Sequence, residues 1–492
     1  MSNLIIMPVL LPFITGIILL FFHRCLLVQR VLSAVSAIAL LILSIYILAV
    51  VRAEGILTLA IGDFPAPFGI ILVADLFAAI MMVVASLISL VALFFAFGMM
   101  DQGREKHFFY ALWQIQIMGI AGAFLTGDLF NLFVFFEILL IASYILLVLG
   151  GEAGQLREAF KYTIINLMSG MMFLVAVAVI YSVTGTLNMA DMAVKVAEAP
   201  QKGLLTTAAL VLLAVFGLKG ALFPMYFWLP RSYFEAPSPV ATLFGGVLTK
   251  VGVYASIRVF TLIFNYDVSY THTIILVLSG FTMFLGVLGA LSQMDFKRLL
   301  AYHIISQVGY MVMGLGLFTP LALAGSIFHI AHNMIVKSCL FLVSGLTETI
   351  TGTTSLKKMG GLMKTHPLVA WMFFIAGISM AGVPPLSGFF SKFALIKAGL
   401  LEGQYFIVLV ALVVSFMTMF SMIKIFRYAY WGSVSKENPP VPGNGYLKLV
   451  PPVLTLVVLT VVIGLSAHWF FQLTLEASEQ LMNPAAYIKA VL

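Results

Sequence analysis

Long apolar runs follow one another along almost the whole chain, with short polar stretches between them. About fourteen runs are long enough to cross a bilayer, because roughly 20 helical residues span its hydrocarbon core. Their approximate bounds are 3–22, 31–51, 70–98, 108–125, 128–150, 162–184, 204–228, 239–264, 273–291, 300–318, 322–349, 367–396, 403–431 and 449–471. The pattern predicts an all-α, polytopic membrane protein with about 14 transmembrane helices.

The polar connections are short, and no linker or extramembrane domain interrupts the series. The longest lie at about 185–203, 351–366 and 432–448. The first contains TLNMADMAVKVAEAPQ, which is either a short surface helix or an ordinary connector. The first apolar run has no basic segment before it and no small-residue cleavage site, so we expect it to be retained as a spanning helix.

Composition agrees with a lipid environment. Apolar residues make up 62% of the 492 positions and charged residues 9%, and the mean hydropathy is +1.12. A soluble chain would carry roughly 25% charged residues. The net charge of +7 is spread over loops without a basic run, which argues against a nucleic-acid partner. The two cysteines give neither a disulfide framework nor a metal site, so we expect no metal and no cofactor.

Basic residues are concentrated in the connections that follow odd-numbered runs. By the positive-inside rule these connections are cytoplasmic, which places both termini on the outer side of a bacterial inner membrane. The basic residues are Arg24, Arg30, Arg104, Lys106, Arg157, Lys161, Lys297, Arg298, Lys357, Lys358, Lys364, Arg427 and Lys436.

Two spanning runs are interrupted by proline and glycine, at corresponding places in the two halves of the chain. The candidate helix breaks are Gly220 and Pro224 in LKGALFPMYFWLP, and Pro384, Pro385 and Gly388 in SMAGVPPLSGFFSKFALIKAG. Such breaks expose backbone groups that protein or water must satisfy, and they often mark binding sites in transporters. A packing kink is the alternative, but it does not explain the lysine beside each break, Lys219 and Lys392.

Charged side chains inside apolar runs are costly, at about 3 kcal/mol for an unpaired charge at the bilayer centre. Glu137 is the only acidic residue in the interior of the run that contains DLFNLFVFFEILL, and it is either a proton-accepting carboxylate or part of a structural ion pair. The basic set is Lys219, Lys250, Lys337 and Lys392. Lysine can release its proton in an apolar setting, whereas arginine cannot. We therefore expect these residues to exchange protons.

Histidines form a polar stripe on one predicted helix, AGSIFHIAHNMIVKSCLFL. His329, Asn333 and Lys337 recur every four residues, with His332 beside them. His303 in LLAYHIISQVGY is expected to belong to the same line of polar side chains. Ordinary helix packing is the alternative for each histidine, and zinc binding is disfavoured because no carboxylate or cysteine flanks the pair.

The segments quoted above, with EAPSPVATLFGGVLTKVGVYASIR and MDFKRLLAYHIISQ, resemble the antiporter-like subunits of respiratory complex I and its relatives. The resemblance covers nearly the whole chain, and is greatest to the family of D subunits of Mrp-type multisubunit sodium/proton antiporters. It implies two inverted five-helix repeats, each with a discontinuous helix, and a hydrated line of charged groups at mid-membrane. The corresponding division is residues 1–107, then repeats at 108–264 and 265–431, then 432–492.

The resemblance also implies roles for individual residues. The family's acidic residue corresponds to Glu137, and its lysine beside the broken helix corresponds to Lys219. The family's central lysine corresponds to Lys250 and its terminal lysine to Lys392. His329 and His332 also match histidines of the family. The implied function is proton translocation within a hetero-oligomeric Na+/H+ antiporter, with protons, Na+, lipid and other subunits as partners. The alternative is a proton-pumping subunit of an NADH:quinone oxidoreductase or membrane hydrogenase, which shares the charged set. No redox motif is present in the sequence.

Overall fold

A computed structural model describes residues 2–433 and 445–492, and these residues are mostly helical. The helices are α1 Met7–Phe21, α2 Leu26–Glu54, α3 Leu76–Met99, α4 Gln102–Arg104, α5 Tyr110–Leu125, α6 Leu129–Val148, α7 Ala153–Thr184, α8 Met189–Glu198, α9 Lys202–Gly220, α10 Leu229–Glu235, α11 Ser238–Leu243, α12 Thr249–Leu262, α13 Val268–Ser292, α14 Phe296–Leu317, α15 Pro320–Thr351, α16 Leu362–Thr365, α17 Pro367–Ala381, α18 Ser387–Leu401, α19 Tyr405–Ile425, α20 Val450–Leu465, α21 Ala467–Leu481 and α22 Pro484–Val491. The strands are β1 Leu57–Ala60 and β2 Ile71–Ala74.

The predicted polytopic architecture is confirmed. Within the described residues, 13 helices are long and apolar enough to cross a membrane. The remaining predicted run, 367–396, forms two short helices instead, α17 and α18. Helices α11 and α12 are joined through a π-helical turn at Phe244–Leu248 and act as one span, Ser238–Leu262.

One local feature differs from the sequence expectation, and one open alternative is decided. The start of the predicted run 70–98 is not helical, because Ile71–Ala74 pairs antiparallel with Leu57–Ala60. Helix α3 begins only after Asp75, whose carboxylate accepts a hydrogen bond from the Ala78 amide at 2.9 Å and so caps the helix. Of the two alternatives for the polar stretch 185–203, the structure has the short helix, α8.

The most central helices are also the most polar. Every residue in the most apolar window of α15, and of the α11–α12 span, is buried inside the protein. Helices α2, α7, α13 and α19 instead leave many apolar side chains exposed, as expected for lipid-facing surfaces. Helix α15 packs against α14, α17, α18, α20 and α21. The polar stripe of α15 therefore lies in the middle of the bundle and cannot face lipid.

The two ends of the described chain lie at the same end of the bundle. The segment Ser2–Ile6 contacts β1 and β2, and α22 contacts β1 and α8. This agrees with the predicted placement of both termini on one side, while the identification of that side as the outer one stays a prediction. Lys436 and most of the stretch 432–448 lie outside the described residues, and the division into repeats also stays a prediction.

Candidate functional site

The first helix break separates α9 from α10. Helix α9 ends at Gly220, Ala221 adopts a left-handed conformation with φ of 62°, and Pro224 lies in the connection. The side chain of Trp228 donates to the Leu218 carbonyl at 3.1 Å. The Thr282 hydroxyl accepts from the Phe223 amide at 2.9 Å. Side chains thus satisfy backbone groups that the broken helix leaves unpaired.

Glu137 and Lys219 face each other across the first half of the bundle. Glu137 of α6 is half-buried and lies against Gly170 of α7. Lys219, in the last turn of α9, is 5% exposed, and its ammonium lies 5.1 Å from the centre of the Phe136 ring. The two charges are within electrostatic range, but no contact within salt-bridge distance joins them. The pair is therefore open in this structure.

A small cavity adjoins the Lys219 ammonium. It is lined by Lys219, Asn166, Tyr162 and Trp228, with apolar side chains completing the wall. The Lys219 Nζ atom and the Asn166 Oδ1 atom have no hydrogen-bond partner among the described residues. Buried polar atoms of this kind are usually satisfied by water. The cavity, of about 10 Å³, is just large enough for a single water molecule beside the lysine.

Lys250 lies on the neighbouring span, in the first turn of α12. Its Nζ atom donates to the Gly245 carbonyl at 2.6 Å, a carbonyl within the π-helical turn. Helices α9 and α12 touch through their backbones, because a Cβ added at Gly252 would lie 2.6 Å from the Gly220 nitrogen. Lys219 and Lys250 are therefore carried by helices in direct contact.

The second helix break separates α17 from α18, and Pro384 and Pro385 lie in the connection. Lys392 of α18 reaches back across it. Its Nζ atom donates to the Met380 carbonyl at 3.0 Å and to the Ala381 carbonyl at 3.1 Å. These are carbonyls at the end of α17, which has no further turn to satisfy them. Lys392 therefore caps the broken helix with a titratable group.

The two histidines of α15 are held by serines of α18. His332 Nδ1 hydrogen-bonds the Ser387 hydroxyl at 2.8 Å, and His329 Nδ1 hydrogen-bonds the Ser391 hydroxyl at 2.9 Å. The ring centres lie 5.7 Å apart. Each ring is thus fixed through Nδ1, and its Nε2 atom is left without a protein partner in the described part of the chain.

His303 and Lys337 extend this set toward Lys250. His303 Nε2 hydrogen-bonds the Ser421 hydroxyl of α19 at 2.7 Å, and Lys337 Nζ donates to the Leu300 carbonyl at 3.1 Å. Lys337 lies within electrostatic range of both Lys250 and His303. His303 is also within range of Lys392. The structure thus brings the predicted basic residues of the second half together with Lys250.

The eight predicted residues form two connected groups. Glu137 and Lys219 make the first, the other six make the second, and the α9–α12 contact joins them. Across residues 2–433 and 445–492, no cluster of three or more His, Cys, Asp or Glu side chains is arranged to hold a metal ion. The contacts that His329 and His332 make through Nδ1 are the hydrogen bonds to Ser391 and Ser387.

Sequence reasoning missed the serines that orient the histidines. Ser387 and Ser391 are four residues apart on α18, so they share one helix face, and they meet two histidines three residues apart on α15. The similar spacing of the two serines and the two histidines is the sequence signal from which these hydrogen bonds could be predicted. Ser421 offers no such pattern, because its partner His303 is 118 residues away along the chain.

A buried ion pair was also missed. Asp75, the cap of α3, contacts Arg258 of α12 at 2.6 Å, with side chains that are 2% and 6% exposed. Arg258 also donates to the Tyr254 hydroxyl at 3.2 Å, and its guanidinium lies 5.3 Å from the Tyr487 ring centre in α22. The pair joins the helix of Lys250 to the C-terminal helix and to α3.

Replacing Asp75 with asparagine should lower the free energy of unfolding by about 3–5 kcal/mol, because it leaves the buried Arg258 charge uncompensated. Denaturant titration of the purified protein measures this. The matched control is Glu476→Gln, since the Arg52–Glu476 pair is exposed and should contribute about 0–1 kcal/mol. Equal losses in the two variants would contradict a structural role for the buried pair.

Comparison with known proteins gives consistent results. Residues 126–418 match the family described as NADH:quinone oxidoreductase/Mrp antiporter, TM. The chain is 57% identical over its whole length to the D subunit of the Na(+)/H(+) antiporter of Alkalihalophilus pseudofirmus, and covers 100% of that protein. It superposes on a chain of the Mrp complex from Dietzia sp. DQ12-45-1b with a TM-score of 0.93 and 31% identity, covering 100% of this chain and 99% of that one. A chain of an archaeal membrane-bound sulfane sulfur reductase matches with a TM-score of 0.91 and 26% identity, covering 99% of each.

Proposed function

Since the chain belongs to the NADH:quinone oxidoreductase/Mrp antiporter family of membrane proteins, we propose that it is the proton-translocating subunit of a multisubunit Na+/H+ antiporter. It would act with other subunits in a hetero-oligomeric complex of a bacterial cell membrane, as a transporter and not as an enzyme. The Mrp complex and antiporter subunit among its relatives support this assignment.

One observation carries the proposal. Four lysines and three histidines lie buried inside an apolar bundle, and within the described residues none of these seven side chains is in an ion pair. A purely structural role would pair such charges, because an unpaired buried charge is costly. Six of the seven are held by carbonyls or hydroxyls, and Lys219 has no hydrogen-bond partner among the described residues; without a fixed counter-charge, such groups can gain and lose protons.

The mechanism we propose begins at the Glu137–Lys219 pair. When the pair is closed, the carboxylate stabilises the protonated lysine. When it opens, the desolvated Lys219 ammonium loses that stabilisation and passes its proton to Lys250 through the contact between α9 and α12. The proton then moves by Lys337, His303 and the two α15 histidines to Lys392, which releases it. In this proposal the repeat formed by residues 108–264 takes up the proton, and the repeat formed by residues 265–431 releases it.

Glu137 is suited to respond to a neighbour. It is the only member of the eight that is not fully buried within this chain, and it lies between α6 and the largely exposed α7. A neighbouring protein packed against this side would desolvate the carboxylate and shift its interaction with Lys219. Coupling between Na+ movement and the Glu137–Lys219 pair would use this edge.

A redox-driven proton pump is the second candidate, and the similarity to the sulfane sulfur reductase complex favours it. Everted membrane vesicles containing the intact complex separate the two. We expect added Na+ to collapse a preformed pH gradient, and Glu137→Ala to abolish that response, because Lys219 then loses the acidic partner that stabilises its protonated form. A gradient that NADH builds, that Na+ does not affect and that Glu137→Ala removes would instead assign the chain to a respiratory complex.

A further inference from the structure

A polar cavity of about 240 Å³ opens at the end of the bundle that we predict to be cytoplasmic. Its walls come from the turn between α10 and α11, from α14 and α15, and from the connections before α5 and α7. None of the eight predicted site residues lines this cavity. It borders α11, the first part of the span that carries Lys250.

The charges around this cavity do not balance. Four carboxylates line it, and only two basic side chains, Arg104 and Lys297. Arg104 contacts two of the carboxylates, Asp101 at 3.2 Å and Glu152 at 2.5 Å. The Lys297 ammonium donates to the backbone carbonyl of Ala236.

The remaining carboxylates, Glu235 and Glu348, have no basic side chain within salt-bridge distance among the described residues. They are close enough to Lys297 to interact with it electrostatically. Counting all six charged side chains, the cavity carries a formal excess of two negative charges. Its potential therefore favours a cation.

Two buried oxygen atoms add neutral acceptors to the same walls. Gln155 and Ser238 are each 1% exposed, both line the cavity, and neither the Gln155 Oε1 nor the Ser238 Oγ atom has a hydrogen-bond partner among the described residues. The Gln155 amide nitrogen donates to the Glu235 carbonyl at 3.2 Å, which holds the amide in place. Buried acceptors without donors are rare in folded proteins, so a bound ion or an ordered water is expected at each of these two atoms.

We propose that this cavity is a binding site for Na+ on the cytoplasmic side, formed by Glu235, Glu348, Gln155 and Ser238; this inference rests on the proposed antiporter function. All four supply oxygen atoms, the ligands that hard cations prefer. Calcium needs six to eight oxygen ligands, usually with several carboxylates, and the described residues contain no cluster of three acidic, His or Cys side chains arranged to hold a metal. The small net charge and the neutral acceptors suit a monovalent ion that must leave again during transport.

The first test measures the apparent KM for Na+ in everted vesicles, where the cytoplasmic face is outward. We expect Glu235→Gln and Glu348→Gln each to raise this KM at least tenfold, with the maximal rate falling less than twofold. Glu198→Gln is the control, because Glu198 is an exposed carboxylate on α8 at the other end of the bundle and should leave the KM unchanged. An unchanged KM in both site variants would overturn the proposal.

A second test does not depend on transport. In a Cys25→Ser background the only native thiol of this chain is the buried Cys339, so Thr354→Cys places a reactive thiol at the cavity wall without removing one of the four proposed ligands. A cationic methanethiosulfonate added to the purified complex should label this thiol, with the labelling measured on this subunit after it is separated from the others, and NaCl should slow the labelling more than choline chloride of equal ionic strength. The Glu137→Ala complex should show the same protection, whether or not it transports. Equal labelling rates in NaCl and in choline chloride would mean that the cavity is only a solvent-filled vestibule. That result would overturn the Na+ site and would leave the proposed function unchanged.

Discussion

Replacing Lys219 with arginine is expected to lower Na+-dependent proton antiport at least about a hundredfold, a loss in the range found when a proton-transfer group is removed. Arginine keeps the positive charge and the interaction with Glu137, so a structural role for Lys219 would survive the change. It cannot release its proton under physiological conditions. A buried guanidinium would also favour a permanent bidentate pair with Glu137, which closes the pair that we propose must open. Antiport in everted vesicles and assembly of the purified complex are the two measurements.

Lys202→Arg provides the matched control on the same helix. Lys202 is the first residue of α9, and its Nζ atom donates to the carbonyls of Val196 and Ala197 at 2.5 and 2.8 Å. These acceptors lie at the edge of the protein, where arginine can replace lysine. We expect the control to transport normally. Full activity in Lys219→Arg would show that charge alone is needed at this position, and would contradict proton release from Lys219.

The sequence predicted the crossing helices because lipid imposes a strong and simple pattern on them. Each span must be apolar over about 20 residues, so length and hydropathy locate it without any tertiary information. The broken run at 367–396 was found for the same reason, since proline and glycine inside an apolar run have few other uses. The hairpin of β1 and β2 was missed because Ile71–Ala74 is as apolar as the helix that follows it.

The candidate site was predictable only in part. Glu137 and the four lysines stand out because a charge in an apolar run is costly wherever its partner lies. Partners from distant parts of the chain leave no such mark. Asp75 lies at the start of an apolar helix, and the sequence does not reveal that it pairs with Arg258, which is 183 residues further along the chain. The sequence predicts that Lys297 lies in a cytoplasmic connection. Only the fold shows that its side chain is buried and donates to the Ala236 backbone carbonyl.

Gly388→Ala is expected to reduce antiport at least tenfold and to destabilise the protein by about 1–3 kcal/mol, the usual cost of overpacking. A Cβ at this position would lie 1.9 Å from the Ser379 carbonyl oxygen and 2.9 Å from His332 Nε2. The first contact is with backbone, so α18 must move away from α17. That movement would lengthen the hydrogen bonds from Lys392 to the end of α17.

The same movement would pull Ser387 from His332, so that one small methyl group disturbs both the terminal lysine and the histidine line. Gly203→Ala is the control, because a Cβ at Gly203, near the start of α9, meets no atom within 4 Å. Antiport rates and denaturant titration of both variants test the expectation. If Gly388→Ala transported at the normal rate in a normally stable complex, close packing at the second break would not matter for proton release. The break would then serve only to end one helix and begin the next, and the role proposed for Lys392 would lose its structural basis.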